Sequence, residues 1–250
     1  MAVIWEKIIN GKKYEVRSAG QTRRLYTDGV FHSQYNSRYS LTGNVWDLIS
    51  LPSFFLERSQ IRRILVLGVG GGAVIRQLRG WFPECHVTGI ELDKTHLYIA
   101  RRFFSLEHKN IDLIEADALQ WVSNFRGLSF DIIIDDLFSE VDGEPERVVA
   151  AGKKWVSELS RILAPNGMLI INFISSKEFR ASAFFNNQHL QNKYSQVFRF
   201  MTPLYENDIG VFLQKKSSVN EWRRHILDNN VLKKEFVEKQ GKYQVRKISG

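Results

Sequence analysis

The stretch that decides the fold is "ILVLGVGGGAVIRQLRGWF", residues 64–82. A short apolar run meets four glycines in five positions, and helical periodicity follows at once. Apolar residues at 74, 75, 78, 81 and 82 fit one face of a helix over about 73–81. The strand predicted at 64–67 therefore turns directly into a helix, and the turn is kept free of Cβ atoms. Such a backbone can bend sharply and lie close to a ligand. The helix start beyond it offers unpaired N–H groups and the positive end of the helix dipole. Gly68-x-Gly70-x-x-Ala73 satisfies the loose dinucleotide pattern, with Gly71 and Gly72 inside it.

Two acids extend that pattern. Glu91 closes the next apolar run, "HVTGI" (86–90), 23 residues after Gly68. A carboxylate there can accept hydrogen bonds from ribose hydroxyls. Asp117 follows a third run, "DLIEA" (112–116), and can accept from an adenine amino group, or it can cap the short helix predicted at 118–124. Glycine loop, Glu91 and Asp117 together describe a nucleoside site. NAD and an S-adenosylmethionine-type sulfonium both fit it. NAD enzymes usually need a second catalytic domain, and little chain remains for one.

The same texture continues. "FDIIID" (130–135) precedes a helix predicted over 146–163, and "GMLIINF" (167–173) follows. Apolar strands alternating with helices imply a parallel sheet covered on both faces, and right-handed crossovers make it doubly wound. "QVFRFM" (196–201) and "DIGVFLQ" (208–214) read as an antiparallel edge hairpin. Before the glycine loop, residues 3–35 read as strands, with turns at Ala19-Gly20 and Asp28-Gly29. A helix entered near Asn44 and limited by Pro52 follows. The expected architecture is an α/β, Rossmann-like, doubly wound seven-stranded sheet. It divides as an N-terminal β-hairpin unit (1–42), a nucleoside-binding catalytic domain (43–215) and a basic helical tail (216–250).

Of the 250 residues, 44% are hydrophobic, as in an ordinary globular core. The net charge is +8, but residues 215–250 hold ten Lys/Arg against four Asp/Glu, so the rest carries only about +2. The charge gives the core no nucleic-acid signature and leaves such a partner open only for the tail. Trp222, Ile226, Leu232 and Phe236, interrupted at Asp228-Asn229-Asn230, suggest two short amphipathic helices covering the core or a second copy. No apolar window reaches a membrane span and no signal-peptide core is present. The one cysteine, Cys85, is expected as a small core residue in a strand. With no disulfide possible, a reducing cytoplasm is implied. The histidines show no metal-ligand spacing, and no metal site is predicted.

From about residue 12 to 215 the sequence resembles the spermidine synthase-like group of Rossmann-fold transferases. The resemblance rests on "RRLYTDGV", "LGVGGG", "GIELD", "EADAL", "FDIIIDD", "RILAPNGMLIINF" and "TPLYENDIGVFL", in that order. It implies S-adenosylmethionine or its decarboxylated form as cofactor, and commonly a dimer. It places the nucleoside at Gly68, Gly70, Glu91, Asp117 and Ala118. The catalytic carboxylate falls on Asp136, with Asp135 beside it.

The chain departs from the family where polyamines are held. Spermidine synthases carry an acid in the loop at the position of Gly71; it pairs with the amine of the decarboxylated cofactor. The polyamine-binding Tyr-His-Glu segment falls on Asn44-Val45-Trp46. The usual strand glutamine falls on His32, with Gln34 two residues on and expected to face the same way. Tyr205 is placed as a pocket wall in a 203–210 loop. Glu140, Asp142, Glu144 and Glu146 make the loop after Asp136 acidic and attractive to a cationic acceptor.

Asp135 and Asp136 are consecutive, so on a strand they point to opposite sides, and one faces the cleft. A carboxylate there can align an amine-bearing acceptor and take its proton. The expected activity is alkylation of that amine, with methyl transfer preferred because Gly71 removes the repulsive acid. Aminopropyl transfer to a diamine and a non-catalytic nucleoside-binding protein are the alternatives.

Overall fold

The structure, a computed structural model, describes residues 1–141 and 144–248. The chain begins with an antiparallel sheet of four strands in sequential order: β1 (Ala2–Ile9), β2 (Lys12–Ala19), β3 (Thr22–Thr27) and β4 (Val30–Asn36). Asp28 and Gly29 both have positive φ, 48° and 86°, which matches their turn to the twist of the strands they join. α1 (Val45–Ser50) follows, and Pro52 sits in the tighter 3₁₀ turn Leu51–Phe55 that ends it.

Strands and helices then alternate: β5 (Arg63–Leu67), α2 (Ala73–Trp81), β6 (His86–Glu91), α3 (Lys94–Phe104), β7 (Ile111–Glu115), α4 (Ala118–Asn124) and β8 (Phe130–Asp135). A ribbon of β9 (Phe138–Val141) and β10 (Glu144–Arg147) precedes α5 (Lys153–Ile162) and β11 (Leu163–Phe173). Three short helices, α6 (Ser176–Ala181), α7 (Ala183–Asn186) and α8 (Gln188–Lys193), lead to β12 (Gln196–Thr202) and β13 (Tyr205–Leu213). The tail forms α9 (Val219–Leu227), α10 (Lys233–Lys239) and β14 (Gln244–Ile248).

The main sheet runs β14-β12-β13-β11-β8-β5-β6-β7. Pairing is parallel from β11 to β7 and antiparallel from β11 to β14. Both faces are buried, and alternation along the strands divides the core. Ile64, Val66, Ile132 and Ile134 pack beneath α1, α2, α3 and the tail, whereas Leu65, Leu67, Ile133 and Leu169 pack against α4 and α5. Chain order reverses between β5, which continues outward to β6 and β7, and its other neighbour β8. Ligands bind beyond the carboxyl ends of strands at such a point.

Four expectations change. The helix foreseen over 146–163 starts at Lys153, because Pro145 and the β-branched pair Val148-Val149 favour extended chain and Gly152 opens the helix. β13 begins at Tyr205, so that residue is on a strand and not in a loop. Cys85 lies in the turn before β6, buried as expected. The tail is not wholly helical: β14 pairs with β12 and makes the sheet eight-stranded.

The tail covers the core. Trp222, Ile226, Leu232, Phe236 and Tyr243 are buried, and Asn229 breaks the two helices by accepting from the N–H groups of Val231 and Leu232. Trp222 is 1% exposed, packs on Phe55, Phe200 and Phe236, and donates its indole N–H to the Leu51 carbonyl at 2.9 Å. Trp222→Ala is therefore expected to lower the unfolding free energy by about 3–5 kcal/mol in urea titration. A loss below about 1 kcal/mol would mark the tail as a detachable arm.

Candidate active site

The carboxyl ends of β5, β6, β7, β8 and β11 open into one cleft of about 1240 Å³, roofed by the N-terminal sheet. Its floor is the glycine loop. Gly68, Gly70 and Gly72 all have positive φ, 84°, 52° and 84°. At Gly68 a second constraint applies: a Cβ would lie 2.2 Å from the Asp136 carbonyl oxygen. Only a bare backbone lets β5 and β8 approach this closely.

Gly68, Gly70, Glu91, Asp117, Ala118, Asp136 and Tyr205 all line the cleft. Gly71 and Gly72 do not. A Cβ at Gly71 would meet Ser33 at 2.7 Å and Phe104 at 2.9 Å, and one at Gly72 would meet Leu106 at 2.0 Å. These two glycines let the loop pack beneath β4 and beside Leu106, and Gly71 donates its N–H to Ser33 Oγ at 2.8 Å.

Glu91 grips the loop. Its Oε2 accepts from the N–H groups of Val69 (3.0 Å) and Gly70 (2.8 Å), and Oε1 accepts from Asp93 N–H at 3.0 Å. Asp117 Oδ1 caps α4 by accepting from Gln120 N–H at 2.9 Å, and the residue also borders the cleft.

The two aspartates separate as alternation requires. Asp135 is fully buried on the far side, where Oδ2 accepts from Arg147 Nη2 at 2.8 Å and Trp155 Nε1 at 2.9 Å. It is absent from the cleft lining and braces β10 and α5, which corrects its assignment beside Asp136 as a catalytic group. Asp136 faces the cleft and accepts from Asn172 Nδ2 at 2.7 Å; Asn172 Oδ1 in turn accepts from Asn207 Nδ2 at 3.0 Å. Burial raises the Asp136 pKa to about 6, against the hydrogen bond from Asn172, with the Asp135 charge adding to the rise.

Gln34 also leaves the expected set. Leu25 pairs with Ser33 and Tyr26 with Phe31, so His32 is the extra residue of a bulge and alternation breaks there. His32 lines the cleft, whereas Gln34 is buried and accepts from Arg24 Nε. Among the described residues the His32 Nε2 is buried without a partner, and burial lowers the ring pKa to about 4, which keeps it neutral. Tyr205 donates to Asn44 Oδ1 at 2.7 Å; with Phe31, Val45 and Trp46 it walls one end of the cleft. Phe31 meets Trp46 edge-on at 5.0 Å. Glu146 borders the same cleft; Asp142 lies outside the described residues.

Asn172 and Asn207 were not foreseen. A polar residue inside the apolar run "GMLIINF" was the available signal for Asn172. Arg147 gave none, because it sat inside a stretch read as helix.

Residues 64–167 match the family described as a methyltransferase domain. The chain is 24% identical over 184 residues to an eEF1A lysine and N-terminal methyltransferase homolog of Drosophila melanogaster, covering 68% of this chain and 26% of that protein. It is 23% identical over 176 residues to a polyamine aminopropyltransferase of Chromobacterium violaceum, covering 69% and 65%. A probable spermidine synthase from Corynebacterium glutamicum superposes with TM-score 0.73 at 17% identity, covering 93% of this chain and 90% of that one.

The chain has a spermidine synthase-like fold, and residues 64–167 within it match a methyltransferase-domain model. It spans about a quarter of the fly relative and just under two thirds of the bacterial one. Among the described residues no helix is long and apolar enough to cross a membrane.

Gly68→Ala combines a positive φ with a collision against backbone. It should cost more than about 1 kcal/mol in denaturant unfolding and abolish nucleoside binding by calorimetry. Wild-type affinity in this variant would mean that the loop does not form the cleft floor.

Proposed function

We propose that this chain is an S-adenosylmethionine-dependent alkyltransferase that transfers a methyl group to an amine-type acceptor, with Asp136 as the proton acceptor. The observation that carries the reading is the Asp136 carboxylate. It is desolvated, held at one oxygen by Asn172, and set in the same cleft as the nucleoside residues.

The cleft fits a sulfonium nucleoside on three counts. Its floor is a glycine loop whose Gly68 and Gly70 border the cleft with positive φ. The Asp117 oxygen that does not cap α4 is available to a polar group of a ligand, and His32, with Nε2 unpartnered among the described residues, lines the same cleft. The volume exceeds a nucleoside alone and leaves room for an acceptor. Bound there, the sulfonium supplies a methyl carbon already activated for displacement, its leaving group a neutral thioether.

The chain's own residues supply the rest. Asp117 and Glu91 hold the nucleoside by its adenine and ribose, with Glu91 exchanging its loop hydrogen bonds for ribose hydroxyls. Phe31, Trp46 and Tyr205 flank the acceptor and keep water out. With the nucleoside held in this way an amine at that end of the cleft would be aligned on the activated carbon, and Asp136 would accept the nitrogen's proton at its free oxygen.

The preference for methyl transfer rests on the absence of an acid from the glycine loop, although Gly71 itself does not line the cleft. No side chain fits there against Ser33 and Phe104, so this position presents no acid to an aminopropyl ammonium. Aminopropyl transfer to a diamine is the second reading, favoured by Glu146 and Glu206 at the cleft rim, which attract cations.

Asp136→Asn should lower the turnover of methyl transfer by about 10²–10⁴-fold. In the unsubstituted protein turnover should rise with pH through about 6 as the carboxylate ionises. Stability runs the other way. A folded pKa raised above the unfolded one favours the folded state below about pH 4, and that contribution is lost as pH rises through about 6. Asp136→Asn should therefore gain on the order of 2 kcal/mol at pH 8 and little at pH 4, read by urea unfolding. Turnover surviving in the variant would remove Asp136 from the chemistry, and a wild-type protein without transfer would favour a nucleoside-binding role.

Calorimetry decides between donors. S-adenosylmethionine should bind at least as tightly as its decarboxylated form. A tenfold preference for the decarboxylated form, about 1.4 kcal/mol, would reverse the assignment to aminopropyl transfer.

A further inference from the structure

The tail does more than cover the core. Its residues converge on one short segment, 40–47, from the opposite end of the chain. Glu235 accepts from the N–H groups of Ser40 (3.0 Å) and Leu41 (2.8 Å), one at each carboxylate oxygen. Lys239 Nζ donates to the Leu41 carbonyl. Tyr243 OH donates to Asp47 Oδ2 at 2.7 Å.

Asp47 is the knot of this contact. It is fully buried and accepts from Thr42 N–H (2.9 Å), Gly43 N–H (2.6 Å) and Gln77 Nε2 (2.6 Å) as well as from Tyr243. A buried carboxylate without its donors is costly, so the backbone around it is held where all the donors converge. That backbone carries the end wall of the cleft. Val45 and Trp46 line it, and Asn44 Oδ1 holds the hydroxyl of Tyr205. β14 fixes the same geometry from the sheet side: Gln244, next to Tyr243, pairs with Met201, and Thr202 of the same strand pairs with Tyr205.

We infer that Tyr243 and Glu235 are positioning residues for the acceptor wall: through Asp47 and the 40–47 backbone they set where Trp46 and Tyr205 stand in the cleft. The inference rests on the proposed function only in naming that end of the cleft as the acceptor's. The tail, the most basic part of the chain, is thereby a component of the site although none of its described residues lines the cleft.

The test uses the full chain labelled with 5-fluorotryptophan. The six tryptophans give separate probes, with Trp46 assigned through Trp46→Phe and Trp155, on the opposite face of the sheet, as control. In Tyr243→Phe the Trp46 resonance should move or broaden while that of Trp155 stays. The affinity for S-adenosylhomocysteine by calorimetry should remain within twofold of the unsubstituted protein. Glu235→Gln, which keeps the shape of the side chain, should shift Trp46 in the same sense and guards against a Tyr243 variant that fails to fold. A Trp46 resonance unmoved in both variants would overturn the inference, as would movement of Trp155 by the same amount. Failure of the unsubstituted protein to bind S-adenosylhomocysteine would instead overturn the proposed function and the name given to the wall. The Trp46 resonance would still decide whether the tail sets it.

Discussion

The site depends on one contact between backbones. At the ends of β5 and β8, Gly68 comes so near the carbonyl of Asp136 that no Cβ could stand between them. The Asp136 N–H donates to Leu67 O at 2.9 Å, and the Gly68 N–H donates to Ile90 O at 2.9 Å. Three adjacent strand ends are thereby locked to one another through main-chain atoms. The loop that would cradle a nucleoside and the carboxylate that would take a proton are held in register by the sheet, with Glu91 and Ser33 adding side-chain bonds to the loop. A site assembled this way keeps its geometry when ligands come and go, which is what orientation of two reactants requires.

Much of this was legible in the sequence because it follows from local rules. Strand β5 and helix α2 fall at 63–67 and 73–81, close to the 64–67 and 73–81 read from periodicity and glycine spacing. Glu91 and Asp117 reach one cleft because parallel strands end on the same side. Asp135 and Asp136 diverge because side chains alternate along a strand. What stayed hidden came from pairing between distant segments. His32 faces the cleft and Gln34 does not because β4 bulges against β3, and nothing within β4 alone announces a bulge. β14 was missed because its strand character comes from pairing with β12 across more than forty residues. The glycine loop also had two functions that its sequence could not separate: Gly68 and Gly70 face the cleft, whereas Gly71 and Gly72 make room for β4 and Leu106.

The roof belongs to the chemistry as much as the floor. The N-terminal sheet is tied to the domain by Tyr14 donating to Asp93 Oδ2 at 2.6 Å and by Thr27 bonded to His96 Nε2 at 2.8 Å. It closes the cleft over Asp136 and contributes His32 from its own strand β4. Desolvation is the main reason why one carboxyl rises to about 6 and one imidazole falls to about 4. Opposite shifts in an acid and a base are the signature of burial itself, since burial penalises whichever form is charged. Without this sheet the strand tips would face water and Asp136 would lose most of its basicity.

Arg147 completes the argument. The buried Asp135 charge pushes the pKa of its neighbour Asp136 up. Arg147 is almost fully buried, pairs with Asp135 at 2.8 Å and also meets Glu178 at 3.0 Å. Its charge satisfies Asp135 on the far side of the strand and lowers the Asp136 pKa against the push of burial. The result is a carboxylate basic enough to accept a proton yet ionised at neutral pH. A buried pair of this kind stabilises little by itself, because desolvating both ions offsets most of their attraction. Its effect lies in the neighbour: Arg147, brought to the site by the ribbon that interrupts the expected helix, leaves Asp136 as the charge that the cleft receives.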